Sequence, residues 1–220
     1  MPIVIDKSSL ESGLSDYGQM WELQRELHTK IVANKSQDTV LLTEHAPVYT
    51  AGRRTESFEL PTDNTPVVEV DRGGKITWHG PGQLVGYPIL HLPAALDVIA
   101  HVRRIEEVLI DTCADLGLVT SRIKGRSGVW VTDHGIDRKV AAIGVRVAQG
   151  VTMHGFSLNC DNDLGWFDRI VPCGISDASV TNLAKELGQP MAITSVLPIL
   201  EKHLHRVFDP IADLAQQRSA

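Results

Sequence analysis

The stretch Arg72-Gly73-Gly74-Lys75-Ile76-Thr77-Trp78-His79-Gly80-Pro81-Gly82-Gln83 governs how this chain is read. Glycine and proline recur through it, yet Arg, Lys, Thr, Trp, His and Gln stand between them. Glycine lets a ligand approach the main chain closely and permits positive φ. Following the strand-like Val67-Val68-Glu69-Val70, the loop reads as one wall of a ligand pocket with its donors aimed inward. The alternative is a long structural turn, which has little need of both a His and an Arg among its glycines.

Working outward, 220 residues suffice for one substantial core or two small ones. The composition is 43% hydrophobic and 22% charged, ordinary for a globular enzyme. A net charge of −6 argues against generic nucleic-acid binding. No apolar run approaches the roughly 20 residues of a membrane span. The start Met1-Pro2-Ile3-Val4-Ile5-Asp6 has no basic segment followed by an apolar one, so no signal peptide is expected. Cys113, Cys160 and Cys173 cannot all pair internally and fit no zinc spacing, which points to a reducing cytoplasm and to no metal.

Periodicity predicts a helix from about 15 to 34, with Ser15 or Asp16 as its cap and Trp21, Leu23, Leu27, Ile31 and Val32 on its apolar face. Strands are expected at 39–43, 67–70, 84–90, 128–132, 139–148 and 155–159. A polar loop runs from Gly52 through Pro66, and turns are expected at 133–138 and 149–150. Asp97 caps a helix to about Leu116, with Ile105, Val108, Leu109, Thr112, Cys113 and Leu116 at helical spacing. A short helix or turn covers 161–168, and a last amphipathic helix covers about 193–208. No repeat or linker divides the chain. The expectation is one α/β (α+β) domain over 1–220, with a mixed, largely antiparallel sheet flanked by helices.

Two residues bear chemistry. Cys173 lies between Pro172 and Gly174, a turn that presents a thiol and leaves the following N–H groups open to a developing oxyanion. The competing reading is a small buried cysteine, which is how Cys113 and Cys160 are read. Lys139 opens the strand Val140-Ala141-Ala142-Ile143-Gly144-Val145, either at an exposed rim or aimed into the pocket. An ammonium beside a thiol enriches the thiolate, and the free amine relays protons, so a Cys/Lys pair suits acyl transfer to an amine. His79 and His154, each beside glycine, are candidates for orienting the thiol or donating to a carbonyl; each also reads as a structural histidine.

The chain closely resembles lipoyl (octanoyl) transferases of the biotin/lipoate protein ligase superfamily. The resemblance rests on R-G-G-K-I-T-W-H-G-P-G-Q-L-V-G-Y-P-I at 72–89, K-V-A-A-I-G-V-R at 139–146, H-G-F-S-L-N at 154–159 and F-D-R-I-V-P-C-G-I at 167–175. It implies a biotin/lipoate protein ligase catalytic-domain-like fold. It implies transfer of an octanoyl or lipoyl group from acyl carrier protein to a lysine of lipoyl domains. The acceptors would be those of 2-oxoacid dehydrogenase E2 subunits and the glycine cleavage H protein, and the step would open endogenous protein lipoylation. It places the acyl-thioester nucleophile on Cys173 and the pKa-lowering lysine on Lys139. Substrate binding falls on Arg72, Gly73, Gly74, Lys75, Ile76, Thr77, Trp78 and His79, with Ala142, Ile143, Gly144, Gly155, Phe156 and Ser157. Trp78 departs from the tyrosine common there. No cofactor, nucleic acid or membrane is implied.

Val145, Phe156, Leu158 and Trp78 are candidate walls for an acyl tail. Arg53, Arg54, Lys75, Arg122, Lys124 and Arg126 are candidates for a basic rim facing an acidic carrier. Three alternatives stand: an ATP-dependent lipoate or biotin ligase, an amidotransferase between lipoyl domains, and a non-catalytic carrier-binding adaptor.

Overall fold

The computed structural model describes residues 1–61, 65–93, 97–132, 135–170 and 178–216. In chain order it places β1 (Val4–Asp6), α1 (Ser8–Glu11), α2 (Tyr17–Val32), β2 (Thr39–Thr43), β3 (Val48–Ala51), β4 (Val67–Glu69), β5 (Thr77–His79) and β6 (Gln83–Ile89). Then come α3 (Val98–Asp115), β7 (Ser121–Ile123), β8 (Arg126–Val131), β9 (Asp137–Ala148), β10 (Val151–Asn159), β11 (Ala178–Val180), α4 (Leu183–Leu187) and α5 (Ile193–Gln216). Single 3-10 turns cover Ser57–Glu59 and Leu164–Arg169.

Among the described residues the strands form two sheets. The larger runs β1-β2-β6-β10-β9-β8-β7, with β11 added beside β9, and the smaller runs β4-β3-β5. β1–β2, β3–β4 and β9–β11 are parallel, and the other pairs are antiparallel. The fold is the single-domain α+β arrangement with a mixed, largely antiparallel sheet that the sequence predicts.

Side chains alternate across a strand, so an apolar strand can serve two layers at once. Val40, Leu42 and Leu84 join Ile105 and Leu109 of α3 and Leu200, Leu204 and Phe208 of α5 in the main core. Leu41, Val85, Tyr87 and Ile89 instead pack against Met20 and Ile31 of α2. β2 and β6 are therefore buried along their whole length. A further cluster of Tyr49, Ile76, Trp78, Phe167 and Ile170 ties the smaller sheet to the second 3-10 turn.

The expected long elements are present, with three corrections. The buried stripe of α2 is Tyr17, Met20, Gln24, His28 and Ile31, whereas Leu23 is exposed. Gln24 and His28 are inside because Gln24 accepts the His154 amide at 3.1 Å and the His28 ring meets the Ala148 carbonyl at 3.0 Å. Second, Thr77–His79, read as loop, is strand β5 paired with β3. Third, α5 continues through Pro210 to Gln216 instead of ending near Phe208. The turn expected at 133–138 lies partly outside the described residues, and β9 already begins at Asp137. Gln149 and Gly150 turn the β9–β10 hairpin with φ of 52° and 76°, the left-handed pair a tight hairpin requires. No helix among the described residues is long and apolar enough to cross a membrane.

Asp97 caps α3 as expected, accepting the Ala100 amide at 2.9 Å. Losing an N-cap costs about 1 kcal/mol. Asp97→Ala should lower the unfolding free energy by that amount, moving the urea midpoint down with an unchanged denaturant slope, a result that an altered slope would contradict.

Candidate active site

The two sheets face each other across a cavity of about 310 Å³, at the small end of the range typical of small-molecule sites, about 300–1,000 Å³. One wall is the glycine-rich segment, contributing Arg72, Gly74, Lys75, Ile76, Thr77 and His79. The other comes from β9 and β10, contributing Lys139, Ala142, Ile143, Gly144, His154, Gly155, Phe156 and Ser157. Three of the segments singled out in the sequence thus meet at one slot. Gly73 and Trp78 of the predicted set do not line it. The Gly73 amide instead binds the Val145 carbonyl at 3.1 Å, tying the loop to β9. Trp78 is fully buried on the far side, stacked on Trp166 at 5.6 Å. Of the candidate tail walls, Phe156 lines the cavity, while Leu158 and Val145 belong to the main core.

Arg72 is the anchor of the glycine-rich wall. Its guanidinium donates to the Thr50 carbonyl at 2.7 Å, the Thr50 hydroxyl at 2.9 Å, the Lys75 carbonyl at 2.9 Å and the Gly73 carbonyl at 3.1 Å. Two glycines make room for it. A Cβ on Gly52 would stand 2.7 Å from Arg72 Nη1, and one on Gly144 would stand 2.8 Å from its Cδ. The Gly144 position therefore serves a packed side chain of the protein, besides any ligand.

Lys139 answers the question left open by its sequence position. It is 9% exposed and lines the cavity. Its ammonium lies 4.6 Å from the centroid of Trp130, the residue opposite it on β8, a cation–π contact that orients the charge.

His79 is buried, with Nδ1 2.7 Å from Gln83 Oε1 and Nε2 3.3 Å from the Thr50 hydroxyl. Burial, with the fields of His45 and Arg72, pushes its pKa down to about 3. His154 sits within β10 at a φ of 57°, a left-handed conformation that is costly for a side-chain-bearing residue. Its ring is held 2.7 Å from Asp71 Oδ1, and Asp71 also pairs with Arg146. Burial lowers the His154 pKa despite the Asp71 contact. Burial alone would raise the Asp71 carboxyl, but the His154 bond and Arg146 hold it below its ordinary value.

Cys113 and Cys160 are core residues with thiols pushed up to about 12 by burial, which makes them poor nucleophiles. Cys173 lies outside the described residues. Of the candidate basic rim, Arg54, Lys75 and Arg126 line the cavity, and Arg53 and Lys124 are exposed. Lys75 pairs with Glu59, and Arg122 with the buried Glu106. Sequence reading missed Tyr17, Val85, Tyr87 and Ser127 as cavity residues. Tyr17 sits at the start of α2 and carried no local signal. Among the described residues no group of three or more His, Cys, Asp and Glu side chains is placed to hold a metal.

Residues 16–205 match the family model of the lipoyl protein ligase A/B catalytic domain. An octanoyltransferase of Salinispora tropica is 61% identical over 207 residues, covering 93% of this chain and 97% of that protein. One from Salinispora arenicola is 63% identical over 201 residues, covering 90% and 94%. A chain from a bi-partite lipoate protein ligase and its E2 lipoyl domain, from Thermoplasma acidophilum, shares the fold with a TM-score of 0.64. It is 12% identical, covering 99% of this chain and 91% of that one.

His79, His45 and His101 have pKa values near 3, 4 and 4 because of burial, against 6.5 for a free imidazole. Between those limits the unfolded chain binds protons that the folded chain refuses, so stability rises with pH across that window. Lowering the pH from about 7 to 5 should reduce the unfolding free energy, with proton uptake by these side chains on unfolding approaching three at pH 5. Equal stability at both pH values, measured by urea unfolding, would show that they titrate normally.

Proposed function

Because this chain belongs to the lipoyl protein ligase A/B catalytic domain family, we propose that it moves an octanoyl (or lipoyl) group from acyl carrier protein to a lysine of lipoyl domains, through a thioester on Cys173. It is an acyltransferase, as its relatives at 61% and 63% identity are octanoyltransferases. On this reading residues 1–220 act as one catalytic domain. The observation that carries the proposal is the slot between the glycine-rich wall and β9–β10, with the Lys139 ammonium on its lining.

In the first half-reaction the Cys173 thiolate attacks the thioester carbonyl, the carbon–sulfur bond to the carrier breaks, and the carrier thiol leaves with a proton. The exchange of one thioester for another is nearly thermoneutral and needs no ATP. In the second, the lysine amine of a lipoyl domain attacks the acyl-enzyme, an amide forms, and the Cys173 thiol is regenerated. Lys139 is the group assigned to favour the thiolate and relay the protons. An octanoyl tail carries about seven CH₂ or CH₃ groups, and its full burial contributes roughly 5 kcal/mol at ~0.8 kcal/mol each. A slot of about 310 Å³ suits one such chain. Donor and acceptor act in turn at the same mouth, with the 2-oxoacid dehydrogenase E2 and glycine cleavage H lipoyl domains as acceptors.

Intact-protein mass spectrometry after mixing with octanoyl–acyl carrier protein, without ATP, is the decisive measurement. The expected result is a mass gain of one octanoyl group that hydroxylamine removes, that Cys173→Ser lacks, and that decays on adding a lipoyl domain. Transfer that appears only with ATP and free acid would replace this reading by a ligase.

Arg54 lines the cavity mouth and Arg53 is exposed beside it. Reversing both charges, Arg53→Glu with Arg54→Glu, should raise the KM for the acidic carrier about tenfold at low salt, with the difference shrinking as salt is added. An unchanged KM at low salt would remove this pair from carrier docking.

A further inference from the structure

Buried polar side chains behind the cavity wall link lining residues into a chain with a direction. Arg72 Nη2 can only donate, and it donates to the Thr50 hydroxyl at 2.9 Å. Gln83 Nε2 donates to the Trp78 carbonyl at 3.2 Å, which leaves Gln83 Oε1 to accept from His79 Nδ1 and so assigns the Thr50 hydroxyl as donor to His79 Nε2 at 3.3 Å. A neutral imidazole that accepts at Nε2 carries its proton on Nδ1, which donates to Gln83 Oε1 at 2.7 Å. The Gln83 amide nitrogen then donates to Asn159 Oδ1 at 2.8 Å, and the Asn159 amide nitrogen to the Thr181 carbonyl at 2.9 Å. The Thr181 backbone N–H closes the series on the Lys139 carbonyl at 2.9 Å. Each link has its donor on the Arg72 side.

The path begins in the smaller sheet, enters the larger one at β6, crosses β10 and ends on β9. It joins the glycine-rich wall to the strand that carries Lys139. Gln83 is 0% exposed and Asn159 4% exposed, and neither lines the cavity. Asp71 and Gly73 tie the two walls near Val145 and Arg146 of β9. Six residues separate Val145 from Lys139, so that tie acts roughly 20 Å along the strand from the lysine. Among the described residues the side-chain chain is a tie at the lysine end.

We propose that Gln83 and Asn159 are positioning residues, which through this one-way hydrogen-bond chain hold the backbone of Lys139 at a fixed place opposite the glycine-rich wall. The proposal rests on the reading above in which Lys139 acts in acyl transfer. It assigns no contact with substrate to either amide. It makes the orientation of the amides, and the tautomer of His79, conditions of activity. Asn159→Asp keeps size and the acceptor toward Gln83 but sets an oxygen against the Thr181 carbonyl. Gln83→Glu does the same against Asn159 Oδ1.

The test is a mutant cycle read by octanoyl transfer to a lipoyl domain. Asn159→Asp should lower kcat about tenfold or more with KM for the octanoyl carrier within about twofold, and should change the rate less than about twofold in a Lys139→Ala background. Equal fold-losses in both backgrounds would overturn the proposal, since the amide would then act independently of Lys139. So would an unchanged kcat in Asn159→Asp. A Lys139→Ala protein working at the parental rate would remove the target of the positioning, and is told apart because it appears before Asn159 is altered. Nitrogen NMR of the parental protein gives a second arm, independent of catalysis and of whether either variant folds. His79 should carry its proton on Nδ1 at neutral pH, and an Nε2-protonated ring would overturn the chain.

Discussion

A guanidinium leaves water only when something replaces its hydration, and that requirement at Arg72 organises much of this molecule. The replacement is main chain: carbonyls of Thr50, Gly73 and Lys75, with the Thr50 hydroxyl. Burying such a charge without those dipoles would cost several kcal/mol. The glycine-rich segment must therefore curl back on its own arginine, and β3 must lie beside it. Gly52 and Gly144 must stay bare, because a methyl group at either would meet the side chain. The wall is stiff because a buried cation holds it, although its sequence is that of a flexible loop.

Burial keeps the groups around that charge neutral, and at the histidines the charge helps. Burial and the Arg72 field together depress the imidazoles of His79 and His154. Burial pushes the Tyr17 phenol up to about 12, so it too stays protonated. His45 donates to the Ser15 carbonyl from Nδ1, so its Nε2 accepts the Tyr87 hydroxyl at 2.8 Å. Polar side chains are thus abundant at this end of the slot, yet their hydrogen-bonding capacity is turned largely toward one another. An uncharged acyl chain entering the slot competes with few of these bonds. A carboxylate there would meet Arg72, whose donors are already committed to carbonyls.

Much of this was legible beforehand, for identifiable reasons. Long elements announce themselves through periodicity and caps, as with Asp16 on α2 and Asp97 on α3. Short strands such as β1, β7 and β11 hold too few residues for a period to show. Hydropathy misplaces the α2 face because Gln24 and His28 are buried for their hydrogen bonds, which such a pattern counts against burial. The glycine-rich wall and the Lys139 strand stood out because their residue types are unusual for connectors. That they face each other is a fact of topology, invisible along the chain. Trp78 reads as a pocket aromatic from its neighbours, but strand alternation turns it away from the slot while Thr77 and His79 line it. Gln83 and Asn159 were silent, since an amide in a strand acquires meaning only from its partners.

A slot made by removing a strand from one sheet would change width in steps of about 4.8 Å, the interstrand spacing. This slot lies between two sheets, so its width is set by the side chains that join them. Asp71 bridges to His154 and Arg146 at one end, and the path from Thr50 to Thr181 runs to the other. Side-chain links can shift by fractions of an ångström without breaking a ladder. A one-methylene difference is worth only about 1–3 kcal/mol in an apolar pocket, so discrimination by length requires walls that do not give way. The buried hydrogen bonds of the Thr50–Thr181 path provide that resistance at one end, because stretching one leaves a polar group unsatisfied at a cost similar to the methylene itself, and the half-buried Asp71 bridges add to it at the other. Under the function proposed above, the polar interior of this protein would stiffen the walls against which an apolar chain lies.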